Sequence, residues 1–281
     1  MISIIVRSFN DVKYIRQTLE MLINQQLPDE FEILSFDSGS TDGTLEIIQS
    51  FPRVKIFPPE GKYNPARVLN RAVQLARGKI IIFNNSDAIP QTTDYAAQLI
   101  APLNDEKIGA VFGNQLPRPE ATPLVRKDNL RAFGDGLDAA NWRHMFSLAS
   151  SAARREILLK HPFDEAYQYS EDIAWSWHLK HDFGYKIVYV PAARVEHSHN
   201  YTSAEIRKRF YNEGIANGMI WREMPEYHKF WAQMVKEMGR DVIYLAKHHQ
   251  LGYLWHGLSY RYLQRASLYR GTRDWIRSNV K

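Results

Sequence analysis

The sequence predicts an α/β fold built on a largely parallel sheet, followed by a helical region after residue 200. Short apolar runs of strand type alternate with segments of helical spacing in the first two thirds of the chain. The run Lys79–Phe83 is too continuously apolar to have a solvated face, which indicates a strand covered on both sides. No strand pattern recurs beyond Tyr201, so the remainder is predicted to be helical.

The elements follow in order from apolar periodicity and turn residues. The apolar run Ile2–Val6 predicts a first strand, and the polar loop Arg7–Asp11 follows it. The segment Lys13–Gln26 has apolar residues at helical spacing and is broken by Pro28. Further strands are predicted over Phe31–Phe36, Val54–Phe57, Lys79–Phe83, Gly109–Gly113 and Lys186–Val190. Further helices are predicted over Leu45–Gln49, Ala66–Ala76, Ser203–Arg222, Tyr227–His249 and Gly252–Arg270.

Composition excludes several classes of protein. The 281 residues are 44% hydrophobic and 24% charged, which is ordinary for a globular protein and unlike a disordered chain. Cysteine is absent, so disulfides, cysteine zinc sites and thiol nucleophiles are excluded. No stretch reaches the roughly 20 apolar residues that span a bilayer. The start, Met1–Arg7, does not resemble a signal peptide, and we expect a cytoplasmic protein.

Positive charge is concentrated at the end of the chain. The net charge is +5, yet residues 201–281 hold 14 basic and 7 acidic residues, together with four of the seven Trp. Such asymmetry indicates an anionic partner: a membrane face, a nucleic acid or a phosphorylated substrate. The alternative is a helical extension with a solvated basic face and an aromatic face packed on the body.

Three polar loops follow predicted strands: Arg7–Asp11, Asp37–Thr44 and Asn84–Ala88. In parallel α/β sheets, ligands bind outside the carboxyl ends of the strands. The shared placement of these loops therefore predicts a ligand site at this edge of the sheet.

Two aspartates in these loops have both a functional and a structural interpretation. Asp87 leaves a buried strand and could bind a divalent ion that also contacts phosphate, or could be an ordinary turn aspartate. Asp37 could accept the imino hydrogen of a pyrimidine base, or could cap a helix. Thr41 or Asp42 could serve as that cap instead.

Two further constellations lie later in the chain. The acids Glu171 and Asp172 precede an apolar helix, where they fit either a favourable helix dipole or a general base. His197 and His199 alternate, so an extended segment would point both to one side, as metal ligands or phosphate contacts. The alternative is a core histidine with a chance neighbour.

Taken together, these sites resemble the family 2 glycosyltransferases. The likeness rests on their order and on Asp37–Thr44, Asn85–Asp87 and Glu171–Asp172, and it runs from about Ile2 to His199. It implies a GT-A fold, with a Rossmann-like mixed, mainly parallel sheet flanked by helices and a helical C-terminal extension. Residues 1–200 would form the catalytic domain. Residues 201–281 would form a basic, aromatic helical region for membrane association or dimerisation.

The resemblance implies inverting transfer of a sugar from a nucleotide diphosphate-sugar. Asp172 would act as the base, and Asp87 with His197 or His199 would hold Mg²⁺ or Mn²⁺. Asn85 replaces the first acid of the family's D-x-D motif, which removes a charge from the metal site. Proposed substrate contacts are Arg7, Ser8, Asp37, Ser38, Arg67, Asn85, Glu171 and Trp175. Arg67 could also be a surface residue, and Trp175 could also be a core residue.

A narrower likeness points to the rhamnosyltransferase-like branch. It rests on Asp87–Pro90, Phe112–Pro119 and His161–Glu165. That branch would use dTDP-L-rhamnose and a hydroxyl of a surface-polysaccharide or lipid-linked glycan acceptor. Rival interpretations are a UDP-hexose or UDP-N-acetylhexosamine donor, a sugar-phosphate nucleotidyltransferase, and a non-catalytic membrane-surface adaptor. We expect no nucleic acid partner, and a peripheral position on the inner face of the cytoplasmic membrane or a homodimer remains open.

Overall fold

The computed structural model describes residues 1–280, and its eight strands form one mixed sheet. The strands follow the order β3-β2-β1-β4-β7-β6-β8-β5 across this sheet. Their bounds are β1 Ile2–Ser8, β2 Phe31–Asp37, β3 Val54–Phe57, β4 Ile80–Asn85, β5 Ile89–Pro90, β6 Ile108–Leu116, β7 Ser150–Arg154 and β8 Lys186–Glu196.

The parallel half of the sheet explains the continuously apolar strands. β1 pairs in parallel with β2 and with β4, so that Ile5 lies opposite Leu34 on one side and Phe83 on the other. Ile4 and Ile5 are both buried, although successive residues of a strand point to opposite faces. Each belongs to a different core cluster, so both faces of this half are covered.

Two strands that the sequence did not predict make the sheet mixed. β7 lies between β4 and β6 and runs antiparallel to both. β5 pairs antiparallel with the end of β8. β8 extends six residues beyond its predicted end at Val190, to Glu196, and pairs in parallel with β6 through a register shift at Gly113. This extension brings His197 next to the end of β6, where its backbone nitrogen donates to the carbonyl of Leu116 at 2.9 Å.

Each predicted helix has a counterpart in the structure that differs at its ends, and the structure adds four short helices between Tyr95 and Lys160 that the sequence did not predict. The first helix begins at Ile15 and the last one reaches Asn279. The bounds are α1 Ile15–Ile23, α2 Thr44–Gln49, α3 Pro65–Leu75, α4 Tyr95–Ile100, α5 Pro123–Ala132, α6 Leu137–Ala140, α7 Arg155–Lys160, α8 Glu171–His181, α9 Ser203–Trp221, α10 Tyr227–Lys247 and α11 Leu254–Asn279.

The chain divides into two compact units. The first contains Met1–Arg118, Asn129–Ala166 and Glu171–Ser198, and it holds the whole sheet. The second contains Pro119–Asp128, Tyr167–Ser170 and the chain from His199 onward. The predicted domain boundary after residue 200 stays a prediction. Within the described residues, none of the helices combines the length and apolar character required to cross a bilayer.

The second unit has its own small core and a buried set of charges. Its core is formed by Leu124, Ile206, Leu245 and Tyr260. Beside it, Arg261 bonds to Asp241 at 2.7 Å and to Asp128 at 2.9 Å, and Lys127 bonds to Asp241 at 2.5 Å. These partners offset the cost of placing charges out of water.

Candidate active site

Asp37 is held at the end of β2 by a complete set of donors. One carboxylate oxygen accepts from the backbone nitrogens of Gly39 and Ser40, at 3.0 and 2.8 Å. The other accepts from the hydroxyls of Ser8 and Ser40, at 2.8 and 2.6 Å. Burial raises the pKa of Asp37, but these hydrogen bonds outweigh it and the pKa is lowered overall. Asp37 is therefore a fixed anion that organises its loop, with Ser38 next to it.

A cleft of about 430 Å³ opens beside this loop. Asp37 and Ser38 line one wall, and the stacked rings of Phe36 and Phe57, 4.9 Å apart, form part of another. Arg67 also lines the cleft, where its guanidinium contacts Glu165 at 2.9 Å. Aromatic rings next to carboxylate and hydroxyl groups, at the carboxyl ends of strands, suit the binding of a nucleoside.

Asp87 and His197 meet where the β4 loop faces the end of β8. The His197 Nε2 atom lies 3.5 Å from a carboxylate oxygen of the buried Asp87. The other ring nitrogen, Nδ1, lies 2.7 Å from the amide oxygen of Gln115, whose own nitrogen donates to Ser147. The Gln115 oxygen can only accept, so Nδ1 carries the hydrogen and the Nε2 lone pair is directed towards Asp87.

This donor set fits a divalent cation. A buried carboxylate oxygen suits Mg²⁺ or Mn²⁺, and an imidazole nitrogen adds a ligand that transition metals accept. The Gln115 contact is the kind of outer-sphere support that orients metal-binding histidines. His199 is the first residue of the second unit, and its part in a metal site stays a prediction.

Two charged residues at this site were missed by sequence reasoning. Arg118 is almost fully buried and contacts Asp87 at 3.6 Å and Glu196 at 3.3 Å, while its guanidinium lies over the Tyr14 ring. Asp11 bonds to Ser86, and burial and the nearby Asp87 raise the pKa of Asp11. Arg118 stands in the Phe112–Pro119 motif, which was a signal for its importance, but its partners are too far along the chain to be inferred.

The acidic pair lies at the start of α8. Asp172 accepts from the backbone nitrogens of Leu148 and Ile173, at 3.2 and 2.9 Å. Burial raises the pKa of Asp172 to about 6, and the charge of Glu171 adds to the effect. Glu171 in turn bonds to Arg7 at 3.1 Å, which joins the end of β1 to the first turn of α8. A carboxyl group of this pKa is a stronger base than an ordinary aspartate.

The remaining predicted residues are placed differently. Asn85 ends β4, where its backbone nitrogen donates to Ala149. Trp175 lies in the core rather than in a cleft: it packs on Phe163 and its ring nitrogen donates to the carbonyl of His161 at 2.7 Å. The structure therefore supports the core interpretation of Trp175, since a buried ring cannot stack on a sugar.

Comparison with known proteins identifies the family. The model of Glycosyl transferase family 2 matches residues 3–161, which is more than half of the chain. The chain belongs to this family. The matched range includes the strands and loops that place Asp37 and Asp87, and it ends before Asp172 and His197.

Curated relatives include two enzymes of the same family branch. The O-antigen chain rhamnosyltransferase RfbN of Salmonella typhimurium is 28% identical over 76% of this chain and 71% of its own length. The O-antigen chain rhamnosyltransferase WbaN of Salmonella anatum is 27% identical over 66% of this chain and 62% of its own length. The family and these relatives support the rhamnosyltransferase-like branch and glycosyltransferase activity with a nucleotide-sugar donor.

Solved structures show the same fold. The mannosyltransferase PcManGT from Pyrobaculum calidifontis, in complex with GDP-Man and Mn²⁺, matches with a TM-score of 0.67 and 19% identity over 99% of this chain and 87% of that one. Glucosyl-3-phosphoglycerate synthase from Mycobacterium tuberculosis, in complex with Mn²⁺, UDP and phosphoglyceric acid, matches with a TM-score of 0.59 and 21% identity over 81% of this chain and 80% of that one. The predicted GT-A fold is confirmed.

Proposed function

We propose that the protein transfers a sugar, with inversion, from a nucleotide diphosphate-sugar to a hydroxyl group of a glycan. One observation carries this proposal: Asp172 is held by two backbone nitrogens with its pKa raised to about 6. Its neighbour Glu171 is bonded to Arg7, at the end of the strand whose Ser8 bonds to Asp37. The end of β1 therefore connects the acidic pair that contains the proposed base with the Asp37 loop beside the proposed nucleotide cleft.

The proposed reaction is a single displacement. The acceptor oxygen attacks the anomeric carbon, its proton passes to Asp172, and the bond to the diphosphate breaks with its electron pair on the leaving oxygen. Asp37, Ser38 and the Arg7–Ser8 strand end would hold the nucleotide. Asp87 and His197, with His199 as a third ligand, would hold Mg²⁺ or Mn²⁺, which supplies positive charge against the diphosphate.

The donor that we propose is dTDP-L-rhamnose, and the acceptor is a surface-polysaccharide or lipid-linked glycan. The two rhamnosyltransferase relatives support this choice, as do the motifs Asp87–Pro90 and Phe112–Pro119. A UDP-hexose or UDP-N-acetylhexosamine donor is the second candidate, since a structural neighbour was solved with UDP-glucose.

A donor panel tests the sugar and the nucleotide separately from the chemistry. Protection against thermal unfolding is measured with dTDP-rhamnose, dTDP, UDP-glucose and UDP-N-acetylglucosamine at equal concentrations. We expect the largest rise in Tm with dTDP-rhamnose in the presence of Mn²⁺. Greater protection by a UDP-sugar would replace the proposed donor and leave the enzyme class intact.

The base is tested with Asp172→Asn. We expect kcat to fall by about 10²–10⁴-fold, the usual contribution of a general base, while donor protection in the panel is unchanged. Asp182→Asn, at an exposed position immediately after α8, is the matched control. Near-normal transfer by Asp172→Asn, or a product that retains the donor's anomeric configuration, would contradict the mechanism.

A further inference from the structure

A second cavity of the first unit, of about 200 Å³, lies between the strands β6 and β8, the segment 132–145 and α8. It shares no lining residue with the nucleotide cleft, and the proposed transfer reaction uses none of its residues. Pockets for drug-sized ligands measure about 300–1,000 Å³, so a cavity of this size suits a single small ring.

The wall of this cavity is fixed by contacts to the half-buried Tyr189. The Tyr189 hydroxyl donates to the carbonyl of Gly134 at 3.0 Å. Gly136 has a φ of +80°, and a Cβ there would lie 2.8 Å from the Tyr189 ring, so the loop can approach the ring because this residue is glycine. Trp142, which is 38% exposed, adds a second aromatic ring to the lining. Aromatic walls with a few polar groups are typical of sites for small molecules.

Positive charge surrounds the mouth of the cavity. The charged side chains that line it are Arg143 and Lys180, both exposed to solvent, and none of the described lining residues carries a carboxylate. Burial, together with the positive charges of Lys180 and His181, lowers the pKa of the lining residue His144 to about 4. His144 is therefore neutral at pH 7, and the charge of the lining is positive.

The two acids nearest in the chain are held by other partners. Asp135 accepts from the backbone nitrogen of Leu137 at 2.9 Å, and Asp138 contacts Arg131 at 3.7 Å. Neither of these acids lines the cavity. The lining therefore complements an anionic group on a ligand.

The chain between His144 and Leu148 runs alongside α8 and connects the cavity to the proposed base. The backbone nitrogen of Leu148 donates to the Asp172 carboxylate at 3.2 Å. One helical turn further, the His144 Nε2 atom lies 2.7 Å from the Ser176 hydroxyl. Lys180 follows after another turn, about 12 Å from Asp172 along the helix axis. A short oligosaccharide with its reacting hydroxyl group at Asp172 would span this distance and place another of its sugars at the cavity.

We propose that this cavity binds a sugar ring that carries an acidic group, either a carboxylate or a phosphate, and that this sugar is a unit of the acceptor glycan. Trp142 and Tyr189 would cover the ring, and Arg143 and Lys180 would contact the acidic group. The assignment to the acceptor rests on the proposed transfer function, whereas the binding of an anionic sugar does not.

Fluorine NMR of the full chain labelled with 5-fluorotryptophan tests the site without any transfer reaction. The Trp142 signal is identified by its loss in Trp142→Phe. We expect D-glucuronate or glucose 6-phosphate to shift this signal, and neutral glucose at the same concentration to leave it in place. The more effective of the two acids identifies the acidic group. Arg143→Gln and Lys180→Gln should each weaken binding about tenfold, the order expected for a lost hydrogen bond to a charged group.

Matched controls separate this site from general attraction of anions. Lys160→Gln removes an exposed lysine at the end of α7 that does not line the cavity, and it should bind both acids like the wild type. The signal of Trp255, which is 80% exposed, should not move. A Trp142 signal that neither acid shifts, or that glucose shifts as far, would overturn the proposal. So would inorganic phosphate that shifts it as far as glucose 6-phosphate.

Kinetics of transfer to a lipid-linked glycan extract test the acceptor assignment. We expect Lys180→Gln to raise the KM for the acceptor about tenfold, while Lys160→Gln keeps the wild-type value and both variants keep the donor protection of the wild type. An acceptor KM that Lys180→Gln leaves unchanged would overturn this assignment. A wild type that binds no nucleotide-sugar would overturn it together with the proposed function, while the fluorine shifts decide the sugar site independently.

Discussion

Asp172 sets the expected pH dependence of transfer at the residue scale. Burial and the charge of Glu171 raise its pKa to about 6, so the base is protonated at pH 5 and ionised at pH 8. We expect kcat to rise about tenfold per pH unit below pH 6 and to level off above it. A pH profile of kcat with saturating donor measures this limb.

The same pKa has a consequence for stability with a definite sign. The folded state holds the Asp172 proton more tightly than the unfolded chain, so this group stabilises the protein at acid pH. That contribution falls as the pH rises from the ordinary aspartate value through about 6. Asp172→Asn should therefore remove the acid limb of the residual activity and make the protein more stable above pH 6. A pH profile of kcat whose midpoint lies near pH 4 would contradict the raised pKa of Asp172.

Gln115 is a second residue whose role can be tested, because it orients His197. Its amide oxygen accepts from Nδ1 at 2.7 Å and so directs Nε2 towards Asp87. Gln115→Leu should weaken Mn²⁺ binding about 10–100-fold, the usual cost of losing an outer-sphere partner. Titration calorimetry with Mn²⁺ measures this, with exposed Gln17→Leu as the control. Unchanged Mn²⁺ affinity would show that the Gln115 contact does not support a metal ligand.

Some of these residues could be predicted and others could not, for a physical reason. Asp37 and Asp87 follow apolar runs that end at a polar loop, and such runs are visible in a short window of sequence. Arg118 and Gln115 act through partners 31 and 82 residues away. Contacts of that range depend on the order of strands in the sheet, which periodicity does not encode.

The same limit applies to whole elements. β7 consists of Ser150, Ser151, Ala152, Ala153 and Arg154, and lacks the β-branched and aromatic residues that predict strands. Its small side chains are nevertheless what its position needs, since a Cβ at Gly113 would overlap the Ser150 hydroxyl. The antiparallel strand β7 could therefore not be predicted from its residues. The ends of the apolar strands β1 and β4, in contrast, were predicted to within three residues.

Close packing of α9 against α11 gives a prediction for these two helices. A Cβ at Gly271 would overlap the carbonyl oxygen of Tyr211, which is backbone and cannot move aside cheaply. Gly271→Ala should therefore destabilise the protein by about 1–3 kcal/mol. Gly239→Ala is the matched control: a Cβ there meets open space in α10, and alanine should stabilise the helix by about 0.5–1 kcal/mol. Urea denaturation measures both, and equal effects would contradict the packing argument.

At the scale of the whole molecule, the basic residues of the second unit fall into two groups, one buried and one exposed. Arg261 and Lys127 are buried and paired with Asp128 and Asp241, so they contribute to the internal structure of the second unit. The lysines of α10 remain exposed on one side of that helix. The net charge of +5 is therefore not spread evenly over the surface, because part of the positive charge is held in these buried pairs.

The buried pairs also predict how the chain responds to truncation. A boundary after residue 200 would leave Pro119–Asp128 without the rest of its unit: Leu124 would lose Leu245 and Tyr260, and Lys127 and Asp128 would lose Asp241 and Arg261. Removing one partner of a buried ion pair typically costs about 3–5 kcal/mol, a large share of a domain's stability. We expect residues 1–200 alone to aggregate on expression, whereas a chain ending at Asn279 should match the full chain in yield and Tm. A monomeric 1–200 fragment with a sharp thermal transition would show instead that the catalytic region folds independently of the helices that follow it.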